Sequence, residues 1–469
     1  MDRERFEEHL SHPHRRGAPV DGGRDGSAGG APCGDLIRVS LAVSDGRVTA
    51  VSFDASGCGS AIAAGSAAAT LADGAPVIDV ARIGPHELAA ELGGLSAGKF
   101  HAAELAAEAL ARALGAATYA SGPAPAVPGL SLVAMSGGVD SAVAALLSAR
   151  EEGPTPVAVT LELWRDAEGD PEASCCSASA VLRARRVARE LGMPHLTLDL
   201  REEFERDVVD PWLDGQRRGI TPNPCIGCNG SLRLDAMLSL AESLGAGRLV
   251  TGHYARTAPG GELLCGVDPA KDQSFMLAGL EPESIERISF PLGELTKAQV
   301  RQLASDAGLE VAATPDSQDL CFLAGVGRGP FMERFGGVGE RPGEILDTAG
   351  TVLGTHSGAH RFTVGQRRGL EIGGLDEPFY VEATDTDANT ITVGPRSALS
   401  RERIALRDLR LRGGGEAVRQ VRLRSHAPAV DCRLVGSQLQ LGRPVLAPAP
   451  GQTAVFLDGE RVVGCATIA

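Results

Sequence analysis

Between the apolar run Leu130 to Met135 and a helical pattern beginning at Ala142 lies the hexapeptide Ser136-Gly-Gly-Val-Asp-Ser141. A strand that breaks on two glycines and feeds straight into a helix leaves few folds open. Glycine lets the backbone close on an anion, serine hydroxyls donate to it, and the helix N-terminus adds unpaired N–H groups and a positive dipole end. Ser136, Gly137, Gly138, Val139, Asp140 and Ser141 therefore read as a pyrophosphate cradle. Asp140 has the wrong charge to touch phosphate, so its expected task is to fix the loop or to hold magnesium. No Gly-Lys-Ser/Thr follows, which separates this loop from the Walker pattern.

Around this loop the chain alternates short apolar runs with helical segments. The runs are Leu130 to Met135, Val157 to Leu163, Leu196 to Leu200 and Arg248 to Thr251, with helices expected near 141–150, 178–191 and 231–244. Repeated β-then-α order with buried-strand composition implies a doubly wound α/β domain, placed at 130–325. A Pro/Ala/Gly-rich stretch, 119–129, reads as a linker. It closes an α+β domain over 1–118, made of a Gly-rich loop (22–34), a hairpin from Leu36 to Val43 and Val48 to Phe53, and Ala-rich helices at 60–73 and 101–114. Beyond 325 the helical signal fades. Short alternating runs (Phe379 to Thr384, Thr390 to Val393, Gln420 to Leu423, Ala454 to Leu457) indicate a small β-rich domain over 326–395 and a β-barrel over 396–469.

At 469 residues the chain needs several cores, and a formal charge of −15 excludes a protein that coats nucleic acid, DNA included, without discrimination. The region Arg401 to Arg424 runs the other way, with eight Arg against three acidic residues, and could hold an RNA backbone. Lysine occurs only at 99, 271 and 297. There is no leader-like N-terminus and no apolar span of membrane length, so a cytoplasmic protein is expected. Ten cysteines in so long a chain fit metal or catalytic use better than a disulfide framework.

Thr221-Pro-Asn-Pro-Cys-Ile-Gly-Cys-Asn229 presents Cys225 and Cys228 on a loop stiffened by two prolines. Such a loop suits a zinc knuckle, an iron–sulfur corner or a redox pair. No second Cys-x-x-Cys occurs, so a site would recruit Cys321, Cys175, Cys176 or a histidine. The adjacent Cys175 and Cys176 read as structural, and Cys265, Cys432 and Cys465 as small buried apolar residues.

The hexapeptide resembles the signature of PP-loop ATP pyrophosphatases, which adenylate a carbonyl oxygen. From about Leu130 onward the chain resembles the bacterial tRNA-uridine 2-sulfurtransferases. The match runs through Thr221-Pro-Asn-Pro, Thr251-Gly-His-Tyr254, Lys271-Asp-Gln-Ser274, Asp316-Ser-Gln-Asp-Leu-Cys-Phe, Thr363-Val-Gly-Gln-Arg-Arg-Gly369 and Gly451-Gln-Thr-Ala-Val-Phe456. That resemblance implies ATP with Mg2+ at the loop, at Leu161 and at Gly252. It implies base contacts at Asn223 and Pro224, and tRNA contacts at His253, Lys271, Asp272, Gln273, Arg424 and Gln452. Cys228 matches the nucleophile and Cys321 the persulfide carrier. Cys225 stands where many members have Asp, resembling a subgroup proposed to hold a 4Fe-4S cluster on three cysteines. Persulfide and cluster routes both follow, with a cysteine desulfurase or another sulfur donor as partner.

Residues 9–114 resemble a U-type iron–sulfur scaffold through Pro32-Cys33-Gly-Asp35, Gly57-Cys58-Gly-Ser-Ala-Ile-Ala63 and Lys99-Phe-His101. The resemblance implies a zinc or iron site at Cys33, Asp35, Cys58 and His101, with Ala102 where a third cysteine would follow. The function expected is ATP-dependent 2-thiolation of a tRNA wobble uridine. The competing readings are a non-catalytic assembly scaffold and a PP-loop synthetase acting on a small molecule.

Overall fold

The computed structural model describes residues 2–30, 34–166, 178–316, 320–373 and 377–469. Four layers of organisation follow the chain, and each solves a packing problem set by its sequence. In the N-terminal unit the strands Arg24–Gly29, Leu36–Ser44 and Arg47–Ser56 form an antiparallel sheet. The helices Gly59–Ala72 and Phe100–Ala120 cover it. Alanine-rich faces let backbones approach closely. The first strand corrects the expectation of a Gly-rich loop over 22–34. Glycine disfavours strands in isolation, but a Cβ on Gly26 would lie 2.2 Å from the Ala109 carbonyl oxygen, so only a bare backbone fits beneath the long helix. That helix also runs to Ala120, six residues past its expected end at 114.

The second unit holds a five-stranded parallel sheet in the order Ile288–Ser289, Ala246–Val250, Val127–Ala134, Val157–Glu162, His195–Asp199. The strand Val127–Ala134 is central, and the chain builds first to one side of it and then to the other. Its carboxyl end is thus the switch point where an open α/β sheet leaves a crevice. A four-stranded sheet follows, made of Gly343–Leu346, Val352–His356, Phe379–Asp385 and Thr390–Pro395. The last unit is a closed barrel of Ser400–Leu411, Gln420–Arg422, Val430–Val435, Gln438–Leu446, Thr453–Asp458 and Arg461–Ile468. The expected order of fold classes is therefore the one found. A hairpin of the second unit, Ala255–Ala258 with Glu262–Cys265, adds to the barrel strand Arg461–Ile468, a pairing absent from the sequence reading. Among the described residues no helix is long and apolar enough to cross a membrane.

The N-terminal unit docks on the edge strand His195–Asp199. A Cβ on Gly115 would sit 2.0 Å from the Thr197 carbonyl oxygen, and Arg112 forks onto the Glu162 carboxylate at 2.7 and 3.0 Å. His195 N–H donates to the Ala81 carbonyl at 3.0 Å. Glu162 ends its strand, and just beyond the far end of the helix the Ala124 N–H donates to the Glu242 carbonyl, close before the strand Ala246–Val250 begins. The helix therefore runs from the carboxyl edge of the sheet to its amino edge. Its start, with His101, lies about 16 Å of helix beyond Arg112, on the side of the phosphate loop.

Gly115→Ala tests this contact. Alanine is favoured over glycine in a helix by about 1 kcal/mol, yet overpacking costs about 1–3 kcal/mol. The thermal midpoint should fall for Gly115→Ala and stay unchanged for Gly98→Ala, where a Cβ meets open space.

Candidate active site

The strand Val127–Ala134 delivers Ser136 to the switch point, and the helix Val139–Ala149 leaves from it. Gly137 has φ +74°, and a Cβ there would lie 2.3 Å from the Ala180 carbonyl oxygen, so the turn needs glycine twice over. Ser141 Oγ accepts from Ser136 N–H at 3.1 Å and donates to the Gly138 carbonyl at 3.0 Å, closing the loop from within. Gly138 is the N-cap and faces open space apart from Ser136 Oγ. Leu161 sits near the end of the neighbouring strand. Gly252 lies against the helix start, since a Cβ there would meet Asp140 C and Ser141 N at 2.8 Å.

Asp140 is held by two groups that the sequence reading missed. Tyr254 Oη donates to it at 2.7 Å, and Lys297 Nζ reaches both carboxylate oxygens at 2.8 Å. These bonds tie the phosphate loop to the helix Lys297–Asp306 and to the turn at Tyr254. Burial and the Asp140 carboxylate push the Tyr254 phenol up, so it remains a donor. Lys297 also lies 2.8 Å from Asp316, which binds Lys271 at 2.6 Å and Arg301 at 2.8 Å. Burial alone would raise the Asp316 carboxyl, but the Lys271 and Lys297 ammoniums outweigh it and hold it at about 2. Two of the three lysines in the chain thus meet at one carboxylate beside the loop.

Cys225 and Cys228 sit on a one-turn helix, Pro224–Cys228, with Asn223 Oδ1 accepting from Cys225 N–H at 3.1 Å and proline in the first turn. A π-helical turn, Asn229–Arg233, follows directly. Cys228 is buried, whereas Cys225 and Cys321 are half-buried. Cys321 precedes Phe322, whose ring lies 5.2 Å from Trp212. A cleft of about 240 Å³ joins these pieces: Asn223, Pro224, Leu320, Arg424 and Gln452 are among its walls. Pro224 and Leu320 are the chain neighbours of Cys225 and Cys321, so both thiol-bearing segments border the space that Arg424 and Gln452 enclose from the barrel side.

The other expected RNA contacts lie elsewhere. Asp272, 4% exposed, accepts from Gly266 N–H and Ser274 N–H at 3.0 Å and from Arg422 at 2.5 Å, a buried latch to the barrel. Gln273 Oε1 accepts from Tyr254 N–H at 3.0 Å, and Lys271 is on Asp316. His253 bonds Thr251 Oγ1 at 2.8 Å, and burial, with Arg233 nearby, pushes it down to about 3. A neutral imidazole brings no charge to a phosphate. The arginine stripe divides as well: Arg412 donates to the Ala278 and Leu280 carbonyls and Arg422 to Asp272, while Arg401, Arg403, Arg407, Arg410 and Arg419 are exposed. Cys265 and Cys465 are buried and Cys432 half-buried; Cys175 and Cys176 lie outside the described residues.

In the N-terminal unit Asp35, Cys58 and His101 converge, with one donor atom from each within 4.8 Å of the others. Asp35 Oδ1 accepts from Cys58 N–H at 2.7 Å, and Oδ2 lies 3.2 Å from Cys58 Sγ and 3.1 Å from His101 Nε2. The Cys58 amide, then the Cys58 thiol and His101, hold the Asp35 carboxyl below its usual range. A thiol, a carboxylate and an imidazole suit zinc or iron, and exposed Cys58 leaves the site open on one side. Cys33 lies outside the described residues. Ala102, in place of the expected third cysteine, is fully buried.

Four family descriptions match the chain in order. They are the NifU-like N terminal domain over 1–121, the tRNA methyl transferase HUP domain over 131–325, the tRNA methyl transferase PRC-barrel domain over 331–395 and the aminomethyltransferase beta-barrel domain over 410–468. The bifunctional protein NifU/MnmA of Rubrobacter xylanophilus is 41% identical over 98% of this chain and 97% of its own length. The tRNA-specific 2-thiouridylase MnmA of Geobacter metallireducens is 41% identical over 71% of this chain and 95% of its own. That of Thermus thermophilus is 42% identical over 72% of this chain and 94% of its own.

Two expectations follow from the geometry. The depressed Asp316 contributes stability that is present above its unfolded value of about 4 and lost as pH falls through about 2. Asp316→Asn should therefore flatten the dependence of the urea midpoint on pH between those values. Elemental analysis after Zn2+ loading should find one equivalent fewer in a Cys58→Ser, His101→Ala double variant than in the unaltered chain.

Proposed function

The chain belongs to the family of the bifunctional NifU/MnmA proteins, and from that membership we propose that it thiolates the wobble uridine of tRNA in a reducing, cytoplasmic setting. One observation carries the reading: the segments bearing Cys225 and Cys321 border the same cleft as Arg424 and Gln452, in the domain whose switch point holds the phosphate loop. ATP, with its Mg2+, lies with its β and γ phosphates in the loop. The N–H groups at the start of the helix Val139–Ala149 stabilise the departing pyrophosphate as uridine O2 attacks the α phosphorus. This gives an O2-adenylated base, from which AMP is a good leaving group. Asn223 and Pro224 hold the base, and Arg424 and Gln452 hold the RNA on the opposite wall.

Sulfur then replaces AMP at C2. With a persulfide on Cys321, the terminal sulfur attacks C2. Cys228 thiolate next attacks the Cys321 sulfur, releasing 2-thiouridine and leaving a Cys228–Cys321 disulfide that an external thiol must reduce. The third thiol favours the other route, because persulfide exchange needs only two. Cys225, Cys228 and Cys321 would then hold a 4Fe-4S cluster, which when bound would supply the sulfide that displaces AMP at C2. The N-terminal trio lies on the phosphate-loop side of the sheet, which raises the local concentration of metal or sulfur delivered there by a cysteine desulfurase or another donor.

AMP formation should require tRNA, separating this enzyme from a small-molecule synthetase and from an inert scaffold. Cys228→Ala and Cys321→Ser should each lower thiouridine formation at least 100-fold with the thermal midpoint retained. Full activity in either variant would remove that residue from the reaction. Iron and sulfide analysis of anaerobically purified Cys225→Ala separates the routes, since loss of about four irons is expected of the cluster and no change of the persulfide.

A further inference from the structure

The turn Lys271 to Ser274 leads directly into Phe275, a wall of the RNA cleft, and its own polar side chains are engaged within the protein. Gln273 clasps the Tyr254 backbone at both its polar groups: Gln273 N–H donates to the Tyr254 carbonyl at 2.8 Å, and Tyr254 N–H donates to Gln273 Oε1 at 3.0 Å. On one side the Tyr254 hydroxyl reaches Asp140 in the phosphate loop. On the other, Asp272 holds Arg422, which belongs to the barrel strand Gln420–Arg422. Two residues further on, Arg424 is in the cleft wall. The strand Gln420–Arg422 pairs with Thr453–Asp458, whose first residue follows Gln452, the other barrel residue in that wall. Gly266 tightens the join, since a Cβ there would lie 2.9 Å from the Tyr254 carbonyl oxygen. A continuous line of short contacts thus runs from the nucleotide loop to the RNA-facing side of the barrel.

We propose that Tyr254, Asp272 and Arg422 are positioning residues that tie the barrel wall of the RNA cleft to the phosphate loop, so that nucleotide and tRNA each tighten the other's binding. This rests on the reading that ATP occupies the loop and tRNA the cleft. The physical cause lies at Asp140. Its carboxylate is shared between the Lys297 ammonium and the Tyr254 hydroxyl. Phosphates arriving at the loop compete for the ammonium and leave the hydroxyl as the principal donor. That strengthens the hold on Tyr254, and through Gln273 and Asp272 on Arg422. Such coupling is reciprocal, so the factor by which nucleotide tightens tRNA equals the factor by which tRNA tightens nucleotide.

The test is a binding cycle on the full chain, using α,β-methylene ATP with Mg2+ and a tRNA transcript carrying a wobble uridine. In the unaltered protein the nucleotide should tighten tRNA binding at least fivefold. Tyr254→Phe removes only the hydroxyl at the loop end of the line, and Asp272→Asn weakens the barrel end while keeping an oxygen that accepts from the Gly266 and Ser274 N–H groups. Both should bring the coupling below twofold, with tRNA affinity in the absence of nucleotide within about twofold of the unaltered protein. A thermal scan confirms that each variant is folded, and Tyr254→Phe carries the test if Asp272→Asn unfolds. Coupling that survives in Tyr254→Phe overturns the proposal. So does equal loss of tRNA affinity with and without nucleotide, the mark of a direct RNA contact. An unaltered chain that binds neither ligand instead overturns the functional reading beneath it.

Discussion

Asp140 is the charge around which the catalytic unit is arranged. It sits in the first turn of the helix that leaves the phosphate loop, where a carboxylate already gains from the helix dipole. There it gathers Lys297, 157 positions away, and Tyr254 from the loop after the neighbouring strand Ala246–Val250. With Lys297 only 13% exposed, removing one partner of such a pair leaves a poorly solvated charge, a loss of about 3–5 kcal/mol where burial is complete. Lys297 then shares Asp316 with Lys271 and Arg301, and Asp316 begins the segment that ends in Cys321. Phosphate loop, thiol segment and barrel latch are therefore set by a few ion pairs around three carboxylates, Asp140, Asp316 and Asp272.

What could be read from the sequence was whatever local pattern determines. The phosphate loop declares itself through two glycines between an apolar run and a helix. Cys225 and Cys228 declare themselves through spacing and flanking prolines. The two strand-rich units show through period-two alternation. Residues whose role depends on a distant partner stayed hidden. Nothing near Lys297 marks it as the counter-ion of Asp140, and nothing near Arg422 marks Asp272, 150 positions away. Lys271, Asp272 and Gln273 were expected as RNA contacts through the family resemblance alone, and no local pattern announced that they bond Asp316, Arg422 and Tyr254. The strand Arg24–Gly29 was missed for a related reason, since its glycines serve the approach of a helix some 80 residues later in the chain.

Docking of the N-terminal unit follows the same logic of small residues and one strong charge pair. Alanines and Gly115 bring the long helix onto the edge strand of the catalytic sheet, and the Arg112 fork on Glu162 sets its direction. An edge strand left bare would invite pairing with other chains, and the helix covers it. The same placement carries His101, and with it Asp35 and Cys58, to the carboxyl side of the sheet. A site able to hold zinc or iron thus lies on the side of the sheet that carries the phosphate loop, with Ala102 following His101 where the scaffold resemblance implies a third cysteine.

The account reduces to the claim that the wobble base enters the cleft between the Asn223–Pro224 turn and the barrel residues Arg424 and Gln452, beside the two thiol-bearing segments. The most direct measurement is photocrosslinking of tRNA carrying a photoreactive uridine at the wobble position, followed by peptide mapping. Crosslinks should fall on peptides containing Asn223, Leu320, Arg424 or Gln452. Crosslinks confined to the exposed arginines of the strand Ser400–Leu411, or to the N-terminal unit, would contradict it.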